Sequence, residues 1–266
     1  MEKRKKAKKR FSALTSFLLA LALLTGTLGA LPAECFAAQP EKAAFHSTYG
    51  FRLGSSAKME LQFRDKLEKN YKVNGNTYYG SQTDLSRQLR DQMVKRSDQV
   101  VLRLATDRRG LTGRSNSAAQ AREELFLGLL NDATAQRNSV SARDGDYLRW
   151  QLGSVSGVLY ADGSKNGVYY YRVIYYGLGY YTTAAEEQWV DRYVQKYVRR
   201  VDRNKMSDYD LAKKVHDDVC RATVYDMEMD SRYDDYDYSA YGCLYVGRCV
   251  CQGYALAYYR LCRELG

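Results

Sequence analysis

The feature that most limits the possible folds is a change of hydrophobic periodicity between positions 81 and 135. Residues 81–96 and 117–135 carry apolar side chains every three or four positions, which predicts two amphipathic helices. Between them, residues 99–105 alternate apolar and polar side chains, which predicts a strand. Two helices that flank a strand predict an α+β fold. No internal repeat of about 20 to 50 residues is present, so a solenoid is excluded.

A tyrosine-rich hairpin is predicted next. Residues 155–161 and 168–176 are rich in β-branched and aromatic side chains, and Asn166-Gly167 is a turn sequence between them. The second segment and the residues after it contain a run of tyrosines: Tyr169, Tyr170, Tyr171, Tyr175, Tyr176, Tyr180 and Tyr181. We interpret this run as ordinary strand composition with one buried face, and keep a stacking platform for sugars or bases as the alternative.

A capping box at Thr183 and Glu186 predicts a further helix, which should end near Asn204. We therefore divide the chain after residue 205. Residues 38–205 form an N-terminal accessory domain of mixed helices and strands, and residues 206–266 form a second domain.

The first 37 residues resemble an export signal. Seven of the first ten residues are basic, residues 17–24 are apolar, and Pro32 and Ala37 suit the end of such a segment and its cleavage site. We expect cleavage after Ala37 and a secreted or cell-surface protein, with an uncleaved membrane anchor as the alternative. About half of the formal net charge of +10 lies in this segment, so a nucleic-acid partner is not implied.

The residue most suited to chemistry is Cys251. It follows a turn signal at Gly247 and begins an amphipathic segment with Ala255, Tyr258, Cys262 and Leu265 at helical spacing. A thiol at a helix N-terminus meets unpaired N–H groups that favour the thiolate. The backbone N–H groups of Cys251 and Gln252 are candidate donors to an oxyanion, and Gly253 permits close backbone approach. The alternative is a buried structural thiol.

Residues 207–266, and above all the sequence GRCVCQGYA at positions 247–255, resemble the first half of the secreted bacterial transglutaminase-like domain. The resemblance implies a papain-type core and makes Cys251, not Cys249, the nucleophile. In that family the base His and its orienting Asp follow the nucleophile helix. Since Gly266 stands where that helix ends, we expect a truncated domain that is inactive alone. We favour a fragment of a longer reading frame over a natural truncation, and in either case the helix would expose Tyr258, Leu261 and Leu265.

No cofactor or metal is expected. The cysteines that follow the leader are Cys220, Cys243, Cys249, Cys251 and Cys262, an odd number, so at least one thiol stays unpaired in a monomer. Their spacing does not match the paired cysteines of a zinc site. The acidic residues Asp226, Glu228, Asp230, Asp234, Asp235 and Asp237 fit no EF-hand, and a solvated loop is the favoured interpretation over calcium binding.

The chain contains two histidines, and neither is a strong candidate for a base. His216 lies beside Val215 and Val219 in a predicted helix and is expected to be half-buried, whereas His46 is expected in a flexible leader. The resemblance to the transglutaminase-like domain implies that the complete protein attacks a carboxamide or peptide carbonyl, as an acyltransferase or peptidase. Its partner would be a protein or peptide substrate, including one at the cell wall. The alternative is a noncatalytic cell-surface or cell-wall binding protein that uses the tyrosine-rich hairpin.

Overall fold

The structure, a computed structural model, describes residues 42–48, 67, 69–136, 143–227 and 235–266. The signal segment and its cleavage site lie outside the described residues. The described elements are β1 (Lys42–Thr48), β2 (Asn70–Val73), β3 (Asn76–Tyr79), α1 (Gln82–Val94), β4 (Val100–Thr106), α2 (Asn116–Ala133), α3 (Asp146–Arg149), β5 (Leu152–Lys165), β6 (Val168–Tyr180), α4 (Ala184–Val198), α5 (Asp208–Ala222), β7 (Val224–Tyr225), β8 (Arg248–Cys249) and α6 (Cys251–Leu265). Short helical turns cover Arg203–Lys205, Asp235–Tyr238 and Gly242–Val246.

A six-stranded sheet forms the centre of the N-terminal region, with the order β1-β5-β6-β4-β3-β2. The β3–β4 pair is parallel, and the other neighbouring pairs are antiparallel. Helices α1 and α2 cover one face, where Leu89, Leu102, Phe126 and Val173 belong to one buried cluster. The periodicity that predicted an α+β fold is confirmed.

Several local signals act as expected. Ser81 accepts a hydrogen bond from the Asp84 N–H at the start of α1, and Thr183 and Glu186 form a complete capping box on α4. The hairpin is longer than predicted, since its two strands extend over Leu152–Lys165 (β5) and Val168–Tyr180 (β6). Helix α4 ends at Val198 rather than near Asn204.

A second buried cluster joins α4, α5 and α6. Val190 of α4 packs in it with Val215 of α5 and with Leu256, Leu261 and Leu265 of α6. The expectation that Tyr258, Leu261 and Leu265 are exposed is wrong, because α4 and α5 cover the apolar face of α6. The exposed fractions of Leu261 and Leu265 are 1% and 9%, and Tyr258 is half-buried against the same cluster. Val190 lies before the predicted domain boundary at residue 205, which itself stays a prediction.

His46 also departs from expectation. It lies in β1, where its backbone is paired in register with Ser156 of β5, and not in a flexible leader. The hydrophobic alternation of this short edge strand is weak, so its position depends on the neighbouring strand rather than on a local signal.

The buried phenol of Tyr78 makes the stability of the fold depend on pH in the alkaline range. Burial and a 2.8 Å hydrogen bond from Tyr78 to Asp162 raise the pKa of Tyr78 to about 12. The unfolded chain releases this proton near pH 10, whereas the folded chain holds it. The contribution is therefore complete below pH 10 and is lost as the pH rises toward about 12, at about 1.4 kcal/mol per pH unit.

We expect Tyr78→Phe to make the alkaline loss of stability less steep, because phenylalanine has no proton to release. Urea unfolding of both proteins at a series of pH values above neutrality measures the difference. The remaining tyrosines are the same in both proteins and so serve as the internal control. Equal slopes above pH 10 would show that Tyr78 is not the group responsible.

Candidate active site

A left-handed turn sets the direction of the chain before the candidate nucleophile. The helical turn Gly242–Val246 ends at Gly247, whose φ of 76° favours glycine. The next two residues form β8, which pairs in parallel with β7, and Val250 is the N-cap of α6. The turn signal at Gly247 is confirmed.

The first turn of α6 packs very closely on the chain that precedes it. A Cβ atom at Gly253 would lie 2.6 Å from the Cys249 Cβ and 2.8 Å from the backbone oxygen of Asp237. Any larger side chain would push α6 away from β8. The close approach predicted at Gly253 is therefore present, and it fixes where Cys251 lies.

Cys251 is the first residue of α6 and is exposed. Val250 provides no side-chain cap, and the first hydrogen bond of the helix runs from the Tyr254 N–H to the Val250 oxygen at 3.2 Å. Within the described residues, the N–H groups of Cys251 and Gln252 have no acceptor. They are left to bind an anion or oxyanion at this helix end.

Cys251 borders a cleft of about 500 Å³. The other lining residues are Asp146, Trp150, Gln252, Ala255, Leu256 and Tyr259. Asp146 and Trp150 come from α3 and the residue after it, more than a hundred positions before the thiol. The cleft walls are mainly apolar, which suits the extended body of an organic substrate more than a free ion.

The side chain of Gln252 connects α6 to the opposite wall of the cleft. Its amide nitrogen donates to the Trp150 oxygen at 2.6 Å and to the Tyr238 oxygen at 3.1 Å. Both donor positions of the amide are thus used within the protein. Gln252 therefore positions α6 against the opposite wall through its side chain, and only its backbone N–H remains a candidate oxyanion donor.

The five described cysteines are all free thiols, and they differ in accessibility. Cys243 and Cys249 are buried beside each other; the hydrogen bond to Cys249 and burial hold the pKa of Cys243 far above its usual value. Burial also raises the pKa of the partly buried Cys262. Only Cys220, in the last turn of α5, shares the exposure of Cys251.

The side chain of His216 does not line the cleft. The His216 side chain is 66% exposed, with its Nδ1 3.1 Å from an Asp217 oxygen and its Nε2 3.7 Å from the Cys220 sulfur. It is not half-buried as expected, because the apolar stripe of α5 passes through Val215 and Val219 and leaves position 216 outside. In the described part of the chain, no histidine lines the cleft.

The acidic segment is only partly a solvated loop. Asp226 is 5% exposed and pairs with Arg248 at 3.0 Å, and Asp237 is fully buried. Asp235 is exposed, whereas Glu228, Asp230 and Asp234 lie outside the described residues. Among the residues that are described, no three acidic, histidine or cysteine side chains form a metal-binding group.

The sequence analysis named three of the residues that line the cleft, Cys251, Gln252 and Ala255, and missed the others. Tyr259 follows Cys251 and Ala255 at intervals of four, so helical spacing alone places these residues on one face. Asp146 and Trp150 carry no such signal, since only the tertiary packing of α3 against α6 brings them there.

Residues 195–266 match the sequence model of the Transglutaminase-like superfamily. The match contains all of α5 and α6 and therefore Cys251. No curated protein and no solved structure matches the chain. Within the described ranges, none of the helices has the length and apolar character needed to span a membrane.

Proposed function

We propose that this protein is an exported cysteine acyltransferase or peptidase with Cys251 as its nucleophile. The observation that carries the proposal is an exposed thiol at the first position of a helix, beside a cleft. The match of residues 195–266 to the transglutaminase-like superfamily supports the same class of chemistry. The charged segment at the N-terminus supports export.

In the proposed reaction, the Cys251 thiolate attacks a carboxamide or peptide carbonyl, and a carbon–sulfur bond forms. The carbonyl oxygen takes the negative charge near the N–H groups of Cys251 and Gln252. The carbon–nitrogen bond then breaks, the amine leaves with a proton, and a thioester remains on Cys251. Water releases the acyl group as an acid, or a second amine takes it as an amide.

The described cleft contains the nucleophile and its N–H donors, but no histidine. A general acid must supply the proton that the leaving amine carries away, and the described lining offers only Asp146 and Tyr259 as side chains of that kind. We accordingly propose that the described residues suffice for attack on activated acyl groups, and that efficient turnover on amides needs a further general base beside Cys251.

The exposed pair Cys251 and Cys220 provides a direct test of the nucleophile. Cys251 lies at the N-terminus of α6, which is the positive end of that helix dipole, and Cys220 lies near the C-terminus of α5, which is the negative end. We expect iodoacetamide at about pH 6 to alkylate Cys251 roughly threefold to tenfold faster than Cys220.

The rates are measured by mass spectrometry of peptides after short labelling times. His216→Ala serves as the background for the comparison, because it removes the imidazole that lies 3.7 Å from the Cys220 sulfur. The buried Cys243 and Cys249 should be labelled last. Equal rates at Cys220 and Cys251 would contradict the proposed nucleophile and favour a noncatalytic surface-binding protein.

A further inference from the structure

The sheet face opposite α1 and α2 carries two arginines that lie side by side. Arg103 of β4 and Arg172 of β6 are direct partners in the antiparallel register. Because side chains alternate along a strand, Arg103 points away from the face that buries Leu102 and Leu104. The two guanidinium groups share a cleft of about 290 Å³, whose other lining residues are Val73, Asn74, Asn76, Tyr78 and Asp162.

Of the described residues, Asp162 is the one carboxylate that lines the cleft beside these two cations. The Arg172 Nε lies 2.8 and 2.9 Å from the two oxygens of Asp162, so this pair is satisfied. Arg103 forms no ion pair or hydrogen bond with another described residue, and its Nε is buried without a partner. Like charges directly opposite each other on a sheet are unfavourable. Among the residues that the structure describes, none balances the remaining positive charge of the cleft.

The surrounding contacts hold Asp162 and Arg172 in place. The Tyr78 hydroxyl donates to Asp162 at 2.8 Å, and the Arg172 guanidinium lies 5.1 Å from the centre of the Tyr160 ring. Asp162 lies at an irregularity in the β5–β6 register, between Ala161 and Gly163, which leaves it outside the regular pairing. The Asp162 carboxylate thus bonds to Tyr78 and Arg172 and forms no ion pair with Arg103.

We propose that this cleft binds the carboxylate of a small ligand. A single negative charge balances the excess charge, and a planar carboxylate matches the fork of the Arg103 guanidinium. The side-chain amides of Asn74 and Asn76 line the same cleft and supply further polar groups. A cleft of this volume accommodates one sugar acid or the last residue of a peptide.

The site is independent of Cys251 and its chemistry. The proposed site assigns a binding function to the tyrosine-rich hairpin, because its strands β5 and β6 supply Asp162 and Arg172. The inference therefore stands even if the thiol has no catalytic activity.

Calorimetric titration with D-glucuronate and with N-acetylglycine tests the proposal, with glucose and N-acetylglycinamide as the uncharged controls. We expect one or both acids to bind and the uncharged compounds to bind at least about tenfold more weakly. Binding of glucuronate alone assigns a sugar acid, and binding of N-acetylglycine alone assigns a peptide terminus. Failure of both acids to bind, or equal binding of the neutral controls, would overturn the proposal. So would tighter binding of inorganic phosphate than of either acid.

Arg103→Gln is expected to weaken binding of the acid by at least about tenfold. The matched control is Arg109→Gln, which removes the same charge from an exposed position outside the cleft and should change binding less than about twofold. Arg103→Gln also removes the unfavourable pairing with Arg172, so its unfolding midpoint should not fall. An equal effect of both substitutions on binding would refute a specific site.

Discussion

Glu187→Ala should lower the free energy of unfolding by about 3 to 5 kcal/mol, because it leaves a buried arginine without its carboxylate. The Arg96 and Glu187 side chains are 4% and 8% exposed, and their charged atoms lie 3.4 Å apart. Glu187 also accepts hydrogen bonds from the Tyr147 hydroxyl at 3.0 Å and from the Thr182 hydroxyl at 2.7 Å. All of these partners lose an acceptor when the carboxylate is removed.

Tyr147 is protonated and therefore able to donate its hydrogen bond to Glu187. Complete burial and the neighbouring charge of Glu187 hold the pKa of Tyr147 well above its usual value. The phenol therefore remains a donor at neutral pH. Its loss of an acceptor in Glu187→Ala adds to the cost of the uncompensated Arg96.

Urea unfolding at neutral pH measures this effect, with Glu186→Ala as the matched control. Glu186 is the adjacent carboxylate and belongs to the capping box of α4, where its side chain accepts from the Thr183 N–H at 2.7 Å. Removing that contact should cost about 1 kcal/mol. Equal losses in the two variants would mean that the buried ion pair does not govern stability.

The same network reaches the cleft. Arg96 donates to the Gln151 side chain at 2.9 Å, and Gln151 follows Trp150, whose oxygen accepts from Gln252. A chain of contacts thus connects α4, through the residues after α3, to the first turn of α6. The wall opposite Cys251 is held by groups distant from it in the sequence.

Local signals predicted the elements, and long-range packing decided the rest. The periodicity around Leu85 and Leu125 and the cap at Thr183 act within one helix, so sequence alone located them. The side-by-side position of Arg103 and Arg172 depends on strand register. Register is set by the whole buried face of a sheet and not by either arginine, so the charged cleft could not be predicted.

In the candidate active site, too, local features were predicted from the sequence and long-range contacts were not. Cys251, Gly247 and Gly253 were predicted because a turn, a close approach and a helix start are local properties of the chain. Trp150 was missed since its neighbours in sequence do not point to a cleft. The exposure of Leu261 and Leu265 was predicted wrongly, because α4 and α5 cover them.

Acyl transfer to Cys251 should show a larger preference than alkylation does. An ester such as p-nitrophenyl acetate passes through a tetrahedral oxyanion, whereas iodoacetamide is displaced at a saturated carbon. Only the first reaction gains from the N–H groups of Cys251 and Gln252. We expect the rate of Cys251 relative to Cys220 to be at least about tenfold greater for the ester than for iodoacetamide.

Cys251→Ser should abolish the fast acylation, because an alcohol at this position is a far weaker nucleophile than a thiolate. The Cys220→Ser protein is the matched control and should keep the fast reaction. Unfolding curves of both variants should match that of the unsubstituted protein, since the two side chains are exposed.

The most direct measurement is therefore the position of the acetyl thioester after brief exposure to the ester, mapped by mass spectrometry under acidic quench. We expect the acetyl group on Cys251, with Cys220 modified far more slowly. Acetylation of the two thiols at the same relative rates as their alkylation would contradict an oxyanion-binding nucleophile at the start of α6.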